Sequence, residues 1–352
     1  MLDIRSFLKL SHTIDIRKML QTTREVATVA RCSALCIFVD MMWCGFRYMS
    51  GYNDYALFEI WNMNSTQRST VLTRGKNNSY VKVLNNHREL WKYFEEKTLF
   101  LRTFADFIHR PWIDLRIADT TALEQFAVAC GTFIAKPIDR SHGDGVEKIS
   151  AKSIDDWSAL HKHLCINGQE LCEAVITQHP EMDRLWSGAV NTIRIVTILS
   201  GDIPHIVAAN LRIGAGERPV DNFNAGGLVV PLDQQTGVVV CHAVDKTGNI
   251  FEAHPKSGVH FEGFHVPMWA ETINFVCCAA TIVPDVRYVA WDVAITPDGP
   301  VFVEGNQYPG HDIYGLPAQT FDKIGVLPDW EAVIPVKELK KYATSNYRHK
   351  GE

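Results

Sequence analysis

The stretch "WDVAITPDGPVFVEGNQYPG", residues 291–310, carries two short apolar runs on either side of a Pro-Asp-Gly turn. Successive residues of a strand point to opposite faces, so every second residue shares a face. If the two runs pair as a hairpin, Asp292 and Glu304 converge. The same alternation predicts that Phe302, Glu304 and Asn306 share one face of the second strand.

These polar residues stand in a segment apolar enough to be buried. Asp292, Glu304 and Asn306 offer two carboxylates and an amide oxygen, and an unpaired charge buried in an apolar sheet is unfavourable. Mg²⁺ prefers such oxygen ligands and completes its shell with substrate phosphates. The pattern therefore predicts a magnesium site. The alternative is an edge hairpin whose acids face solvent.

A second polar segment is "FIAKPIDRSHGDGVEKI", residues 133–149, in which a strand ending at Lys136 runs into a glycine loop. Glycines let backbone N–H groups approach an anion, and a lysine supplies a point charge for phosphate oxygens. The combination suits a nucleoside triphosphate, although a simple hairpin turn gives the same pattern. The candidate loop residues are Ser141, His142, Gly143 and Gly145.

Two further strands carry single charged residues. Arg194 in "NTIRIVTI" is a candidate clamp for charge on a transferred phosphoryl group, or a buried ion-pair partner. Glu173 in "QELCEAVITQH" lies between the glycine loop and Arg194. Its strand could line an adenine pocket, and an edge strand explains it equally well.

The overall composition indicates a globular protein of two or three units, with 352 residues, 46% hydrophobic and 21% charged. The net charge of -5 gives no support for a nucleic-acid partner. The nine cysteines form no Cys-x-x-Cys pair, which favours free thiols in a reducing cytoplasm. The first residues lack the basic-then-apolar order of a signal peptide, so we expect a cytoplasmic protein.

The most membrane-like segment is "CSALCIFV", residues 32–39, bracketed by Arg31 and Asp40. It is far shorter than the ~20 residues of a spanning helix, so we expect no transmembrane segment. We interpret it as a buried helix. The alternative is that the amphipathic first fifty residues lie on a membrane surface.

Apolar periodicity divides the chain into a mainly helical part, up to about residue 110, and a later part rich in short antiparallel strands. Two helical patterns interrupt the strands. One spans residues 153–164, with Ser153 as the expected N-cap, and the other spans 267–281, opened by Pro267. Helices and strands do not alternate strictly, which predicts an α+β fold.

The order of these features resembles the ATP-grasp superfamily of ADP-forming ligases. The order is a strand lysine, a glycine loop, a strand glutamate, a strand arginine, and then the Asp, Glu and Asn of the hairpin. More narrowly, the chain resembles the sugar-transfer-associated ATP-grasp group, which is related to α-L-glutamate ligases. The segments that carry this narrower resemblance lie within residues 50–325 and are "YNDYALFEI", "EEKTLFLRTF", "ITQHPEM", "NTIRIVT" and "NAGGLVVPLDQQTG".

The resemblance implies an ATP-grasp fold, in which two α+β lobes with antiparallel sheets hold ATP between them. It divides the chain into a helical N-terminal region, residues 1–110, a small lobe with a glycine-rich lid loop, residues 111–190, and a large lobe with Mg-binding strands, residues 191–352. Relatives place an acid after the hinge to bind ribose. This chain has Gln178 and His179 there, and either could substitute.

The resemblance also implies roles for individual residues. Lys97 and Lys136 would contact the ATP phosphates under the loop of residues 141–145, and Arg194 would face the γ-phosphate as the catalytic arginine. Two Mg²⁺ ions would be held by Asp292, Glu304 and Asn306. The adenine hinge would comprise Glu173, Ala174, Val175 and Ile176.

The implied reaction forms an acyl phosphate from a substrate carboxylate and ATP, and an amine or sugar-linked acceptor then displaces phosphate. The loop "DNFNAGG", residues 221–227, is the candidate acceptor site, unless it is only a polar turn. Its candidate residues are Asn222, Asn224, Gly226 and Gly227. The alternatives are a phosphotransferase acting on a hydroxyl and a nucleotide-binding protein without catalysis.

A cluster of histidines raises a different possibility, a zinc site. His254, His260 and His265 lie within twelve positions, near Cys241 and His242. Their spacing matches no zinc pattern, so we expect them to pack loops and contact substrate instead.

Overall fold

The structure, a computed structural model, describes residues 15–139, 145–215, 221, 223, 226–335, 338 and 339. The candidate residues Ser141, His142, Gly143, Asn222 and Asn224 lie outside this described part.

The helices in the described part are α1 (Ile16–Ala30), α2 (Ala34–Tyr48), α3 (Tyr52–Leu57), α4 (Ser65–Thr70), α5 (Arg74–Leu84), α6 (Lys92–Glu95), α7 (Lys97–Thr103), α8 (Thr120–Cys130), α9 (Trp157–Ile166), α10 (Pro180–Leu185), α11 (Trp269–Ala280) and α12 (Leu327–Val333). The strands are β1 (Trp112–Asp114), β2 (Thr132–Lys136), β3 (Glu147–Ser150), β4 (Leu171–Ala174), β5 (Thr192–Ser200), β6 (Ile203–Ile213), β7 (Leu228–Pro231), β8 (Ala243–Val244), β9 (Ile250–Phe251), β10 (Tyr288–Thr296) and β11 (Gly299–Asn306).

Internal contacts divide the chain into two compact units. The helical unit comprises Met1–Tyr80 with Gly310–Glu331, and the sheet unit comprises Val81–Pro309 with Ala332–Glu352. The boundaries expected near residues 110 and 190 stay a prediction.

Within the helical unit, α1 and α2 are joined by a short turn. The side chain of Asp15 caps α1 by accepting hydrogen bonds from the backbone of Arg17 and Lys18. The prediction that residues 32–39 form a buried helix is wrong in part, because α2 buries only one face. Among the described helices, none alone meets the length and hydropathy expected of a membrane span, whereas α1 and α2 meet them only as a pair bent by 115°.

Within the sheet unit, two antiparallel sheets confirm the predicted α+β class. A four-stranded sheet has the order β1-β4-β2-β3, and a seven-stranded sheet has the order β11-β10-β5-β6-β7-β8-β9. The main hydrophobic core packs against the seven-stranded sheet and includes the rings of Phe94, Phe100, Phe104, Trp291 and Phe302. This core holds the central strands in place.

The predicted hairpin of β10 and β11 is confirmed, with Asp292 paired directly with Glu304. A bulge follows, so that Val293 pairs with Phe302. The ring of Phe302 stacks on Trp291 at 4.8 Å in the core, on the opposite face from Asp292. The expectation that Phe302 shares a face with Glu304 is therefore wrong, since the bulge inserts a residue between them.

The start of the helix predicted over residues 153–164 also differs. The helix α9 begins at Trp157, and its N-cap is Asp156, whose carboxylate accepts a hydrogen bond from Ala159 N at 2.9 Å. Ser153 instead ends a short 3₁₀ turn. A carboxylate at the cap satisfies an otherwise orphaned N–H group, which explains why the helix begins there.

Candidate active site

A row of charged side chains crosses three neighbouring strands of the seven-stranded sheet. Arg194 on β5 pairs with Asp292 on β10, and Asp292 pairs with Glu304 on β11. The Asp292 carboxylate is buried and accepts from Nε of Arg194 and, at 2.7 Å, from its Nη2. Nη1 of Arg212 on β6 donates to the same carboxylate at 2.7 Å. Asp292 thus lies between two guanidinium groups.

The two carboxyl groups of this row have opposite pKa shifts. Burial alone would raise the pKa of Asp292, but Arg194 and Arg212 hold it at about 2. Glu304 has a raised pKa, first because it is desolvated and second because it faces the negative charge of Asp292. Asn306 Nδ2 donates to Glu304 Oε1 at 3.2 Å. Two guanidinium groups therefore offset the burial of Asp292, whereas the cations near Glu304 do not offset its burial and its repulsion by Asp292.

The chemistry of this donor set fits a magnesium ion. Asp292, Glu304 and Asn306 supply hard oxygen donors on adjacent strands, and a cation beside Glu304 would offset the repulsion that raises its pKa. Within the described part of the chain, no cluster of three or more His, Cys, Asp or Glu residues has the arrangement of a metal site. This set contains two carboxylates, so Mg²⁺ would depend on substrate oxygens for the rest of its shell.

Two lysines lie near this row. Lys136 forms an ion pair with Glu173 at the centre of the four-stranded sheet. Lys97 Nζ donates to Ile138 O at 3.2 Å. Burial, followed by the charge of Lys136, lowers the pKa of Lys97, while Glu304 and Glu173 act in the opposite direction. Lys97 therefore interacts electrostatically with Lys136 and with both glutamates.

Arg110 is a site residue that the sequence did not reveal. Its Nη2 lies 2.5 Å from Oε2 of Glu173, and its Nη1 donates to the backbone oxygen of Phe302 at 2.6 Å. It thereby joins the edge strand β11 of one sheet to β4 of the other. Burial opposes ionisation of Glu173, yet Lys136 and Arg110 hold its pKa at about 2. The segment "HRPW" gives no pattern that marks this arginine.

The expected hinge, residues 173–176, begins inside β4 and continues two residues beyond its end. Strand pairing ends at Ala174, so the backbone groups of Val175 and Ile176 lie outside the sheet ladder. Gln178 is buried, and its amide donates to Asp183, Trp186 and Ala189 while its oxygen accepts from Asn191. That side chain is therefore committed to the fold, which makes it a poor substitute for a ribose-binding acid.

His179 also makes hydrogen bonds within the fold. Its Nδ1 accepts a hydrogen bond from Glu181 N at 3.2 Å and caps α10. Its own backbone N–H donates to Ile295 O at 2.7 Å, which ties the end of the hinge to β10.

Of the candidate glycines in the two loops, the structure describes Gly145, Gly226 and Gly227. Gly145 is exposed with φ of 71°, and its carbonyl accepts from Gln169 at 3.0 Å. Gly226 has φ of 95°, and Gly227 is buried immediately before β7. The positive φ values favour glycine at 145 and 226.

A buried aspartate anchors the expected acceptor loop. Asp221 accepts from Thr192 N at 3.0 Å and from its hydroxyl, and it forms an ion pair with Arg212 at 3.1 Å. Arg212 therefore links this loop to Asp292. Sequence reasoning missed Arg212, although a lone arginine in the apolar run "IVAANLRI" is the signal by which Arg194 was found.

Gly305, between Glu304 and Asn306, is required by packing. A Cβ atom there would lie 2.8 Å from Cε2 of Phe100 and 3.1 Å from Cδ1 of Phe94. The backbone between the two candidate ligands thus lies directly against aromatic rings.

The histidine cluster does not form a zinc site in the described structure. Nε2 of His254 bonds to Gly214 O at 2.8 Å, and its Nδ1 accepts from Lys256 N and Ser257 N. His254 is buried beside Trp186, with ring centroids 4.9 Å apart. The expected role in loop packing fits these contacts.

A family model described as sugar-transfer associated ATP-grasp matches residues 76–321. The chain belongs to this family. The match contains every strand of both sheets and the charged residues of the candidate site. The ATP-grasp match begins at residue 76, so α1 and α2 lie outside it.

Several solved structures resemble the chain only distantly. The ATP-grasp ligase PsnB, complexed with minimal precursor, is 15% identical at a TM-score of 0.41, with 71% of this chain and 63% of PsnB covered. D-alanyl-alanine synthetase A from Vibrio cholerae O1 biovar eltor is 12% identical at a TM-score of 0.41, with coverage of 72% and 65%. D-cycloserine synthetase DcsG is 10% identical at a TM-score of 0.40, with coverage of 69% and 71%. The comparison with curated proteins gave no match.

Proposed function

We propose that this ATP-grasp protein is an ATP-dependent, ADP-forming carboxylate–amine ligase that modifies a glycan or a glycan precursor. The observation that carries the proposal is the row of Arg194, Asp292 and Glu304 beside the lysine pair of Lys97 and Lys136. A triphosphate needs several cations and a magnesium site close together, and the proposed site combines the two.

In the proposed complex, the backbone of Val175 and Ile176 contacts adenine, because these groups lie outside the sheet ladder. Lys97 and Lys136 contact the phosphates. Glu173 and Arg110 hold Lys136 in position, since Glu173 bonds to both cations. The loop of residues 141–145 covers the phosphates.

The proposed metal ligands are Asp292, Glu304 and Asn306, for two Mg²⁺ ions. Bound magnesium would neutralise phosphate charge and favour in-line transfer. Arg194 faces the γ-phosphate, where its guanidinium stabilises the charge that spreads over the phosphoryl oxygens. Arg212 keeps Asp292 ionised and oriented, because it donates to the same carboxylate.

The proposed chemistry has two steps. A substrate carboxylate oxygen attacks the γ-phosphorus, the bond to the β-phosphate oxygen breaks, and ADP leaves an acyl phosphate behind. An amine nitrogen then attacks the acyl carbon, the C–O bond to phosphate breaks, phosphate leaves, and the nitrogen loses one proton to solvent. The protein positions both substrates and stabilises charge, so no side-chain nucleophile is needed.

The glycan assignment rests on the family's description as sugar-transfer associated. Residues 221–227 are the proposed acceptor loop, with Asn222, Asn224, Gly226 and Gly227 as its contacts. A reducing cytoplasmic compartment suits the nine cysteines, all of which lie in the described part and are free thiols.

A screen for carboxylate-dependent ADP release tests the proposal. Amino acids are combined with amino sugars and nucleotide sugars in the presence of MgATP, and products are identified by mass spectrometry. Hydroxylamine added to a productive reaction gives a hydroxamate only if an acyl phosphate forms. A stable phosphate ester without hydroxamate would instead identify a phosphotransferase.

Matched variants connect that activity to the site. Glu304→Gln removes the charge of a proposed metal ligand and is expected to lower the rate of ADP formation at least about a hundredfold. Glu262→Gln changes an exposed acid of the same unit and should leave the rate unchanged. Equal rates in the two variants would remove Glu304 from the metal site.

A further inference from the structure

Helix α2 presents a continuous apolar face to solvent. Its exposed side chains recur at three and four residues, so they lie on one side of the helix. The opposite side packs into the helical unit through Ile37, Met41, Cys44 and Tyr48. The exposed set comprises Leu35 at 71%, Val39 at 59%, Met42 at 38%, Trp43 at 55% and Phe46 at 52% exposure.

The only carboxylate of α2 is neutralised away from this face. Asp40 accepts hydrogen bonds from Arg68 at 2.6 and 2.9 Å and from the hydroxyl of Tyr55 at 2.6 Å. Both partners belong to the packed interior of the helical unit. The exposed face therefore contains large apolar side chains without a negative charge.

Exposed cations precede and follow the apolar residues of this face in the sequence. Residues 15–50 contain five basic and three acidic residues, a formal charge of +2 in a chain whose total is -5. Arg17 and Arg24 lie seven residues apart, and hence on one side of α1. Arg31 and Arg47 flank the apolar run of α2, and all four arginines are exposed.

From this arrangement we infer that the helical unit binds the surface of an anionic lipid bilayer through the exposed face of α2. Apolar side chains would enter the acyl boundary, and the arginines would pair with lipid phosphates. Trp43 suits this depth, since tryptophan favours the boundary between apolar chains and headgroups. Only one side of α2 is accessible, so the helix would lie in the plane of the interface.

A second copy of the chain fits this surface less well. A symmetric pair would bring the same arginines of both copies together, and like charges at an interface are unfavourable. Anionic headgroups supply the opposite charge instead. The surface lies outside residues 76–321 that match the ATP-grasp family, so the inference does not depend on the proposed ligase activity.

Co-sedimentation of the full chain with vesicles tests the inference. One set of vesicles is phosphatidylcholine alone, and the other contains equal parts of phosphatidylcholine and phosphatidylglycerol. We expect binding to the anionic vesicles that weakens as salt is added, because salt screens the arginine charges. Absence of binding to the anionic vesicles at low salt would overturn the inference.

Two pairs of variants locate the contact. Trp43→Ser with Phe46→Ser should lower the partition coefficient at least about tenfold, because two large apolar groups no longer enter the lipid. The control is Val128→Ser with Ile166→Ser, which changes two similarly exposed apolar residues of the sheet unit. This control variant should bind as the unaltered protein does.

A second pair of variants tests the charges. The variant Arg24→Gln with Arg47→Gln should also weaken binding about tenfold, whereas the control Lys148→Gln with Lys162→Gln should leave binding unchanged.

Loss of lipid binding can be distinguished from unfolding and from dimerisation. Far-UV circular dichroism and the melting temperature verify that each variant is folded, and the chosen side chains are exposed, so unfolding is not expected. Equal lipid binding by the Trp43/Phe46 variant and its control overturns the assignment. So does a concentration-dependent dimer that this variant abolishes in the absence of vesicle binding, because a second copy would then cover the face.

Discussion

At the scale of single residues, the buried ion pairs around Asp292 are the most consequential contacts. Arg212 donates to Asp292 and also pairs with Asp221, while Arg194 approaches Asp292 from the neighbouring strand. One arginine therefore connects a candidate metal ligand with the base of the candidate acceptor loop.

We expect Arg212→Met to destabilise the protein by about 3–5 kcal/mol, because it leaves the buried Asp221 carboxylate without its ion-pair partner. Urea denaturation measures the change in the free energy of unfolding. Arg184→Met is the control, since Arg184 pairs with Glu181 at 2.8 Å on the surface, and about 0–1 kcal/mol is expected there. Similar losses in both variants would contradict the importance of the buried network.

Buried thiols predict a loss of stability at high pH. Burial raises the pKa of Cys172 from 9.0 to about 12. Between these values the unfolded thiol has lost its proton and the folded thiol retains it, so stability is full below pH 9 and falls as pH rises toward 12. Each such group contributes at most about 1.4 kcal/mol per pH unit.

Cys172→Ala should make this fall shallower when the free energy of unfolding is measured from pH 8 to pH 11 by denaturant titration. Cys32→Ala removes an exposed thiol and serves as the control. An unchanged slope in the Cys172 variant would show that this thiol does not contribute to the pH dependence.

At the scale of elements, the sequence predicted the pairing of β10 with β11 but not the bulge between them. The alternation of side chains along each strand was sufficient to place Asp292 opposite Glu304, because both residues point to the same face when the two strands pair. The bulge beyond that pair depends on how Phe302 and Trp291 pack in the core, which alternation alone does not contain. Arg110 was missed for a related reason, since its partners lie 63 and 192 residues away.

The start of α9 provides a test at this scale. Asp156→Ala removes the carboxylate that caps the helix and should cost about 1 kcal/mol in the free energy of unfolding. Asp155→Ala removes an adjacent exposed carboxylate that is not the N-cap and should change stability much less. If the two variants lose the same stability in urea, Asp156 is not the effective cap.

At the scale of the whole molecule, the order of the strands explains why the charged row could not be predicted from local sequence patterns alone. Strand β5 pairs with β10, about ninety residues later, so the charged row exists only once distant segments meet. The family resemblance predicted that these segments form one site. Apolar periodicity predicts each strand by itself and gives no information on which strands pair. The extent of the helical unit was not predicted, because residues 310–331 join it from the far end of the chain.

ATP binding should stabilise the folded molecule as a whole. A ligand at a hundred times its dissociation constant adds about 2.7 kcal/mol to the free energy of unfolding and thus raises the melting temperature. Lys136→Ala should reduce the shift produced by MgATP, while Glu173 retains Arg110 as a partner. Lys148→Ala, on the neighbouring strand β3, should preserve the shift, and a full shift in the Lys136 variant would exclude that lysine from the ATP site.

The glycine between Glu304 and Asn306 limits how this protein can evolve. A Cβ atom at position 305 would force either β11 or the rings of Phe100 and Phe94 to shift, and both flanking candidate ligands lie on that strand. Substitutions at the candidate ligands 304 and 306 are therefore less restricted by backbone packing than a substitution at 305. In a saturation library selected for folding alone, before any selection for activity, we expect position 305 to retain glycine.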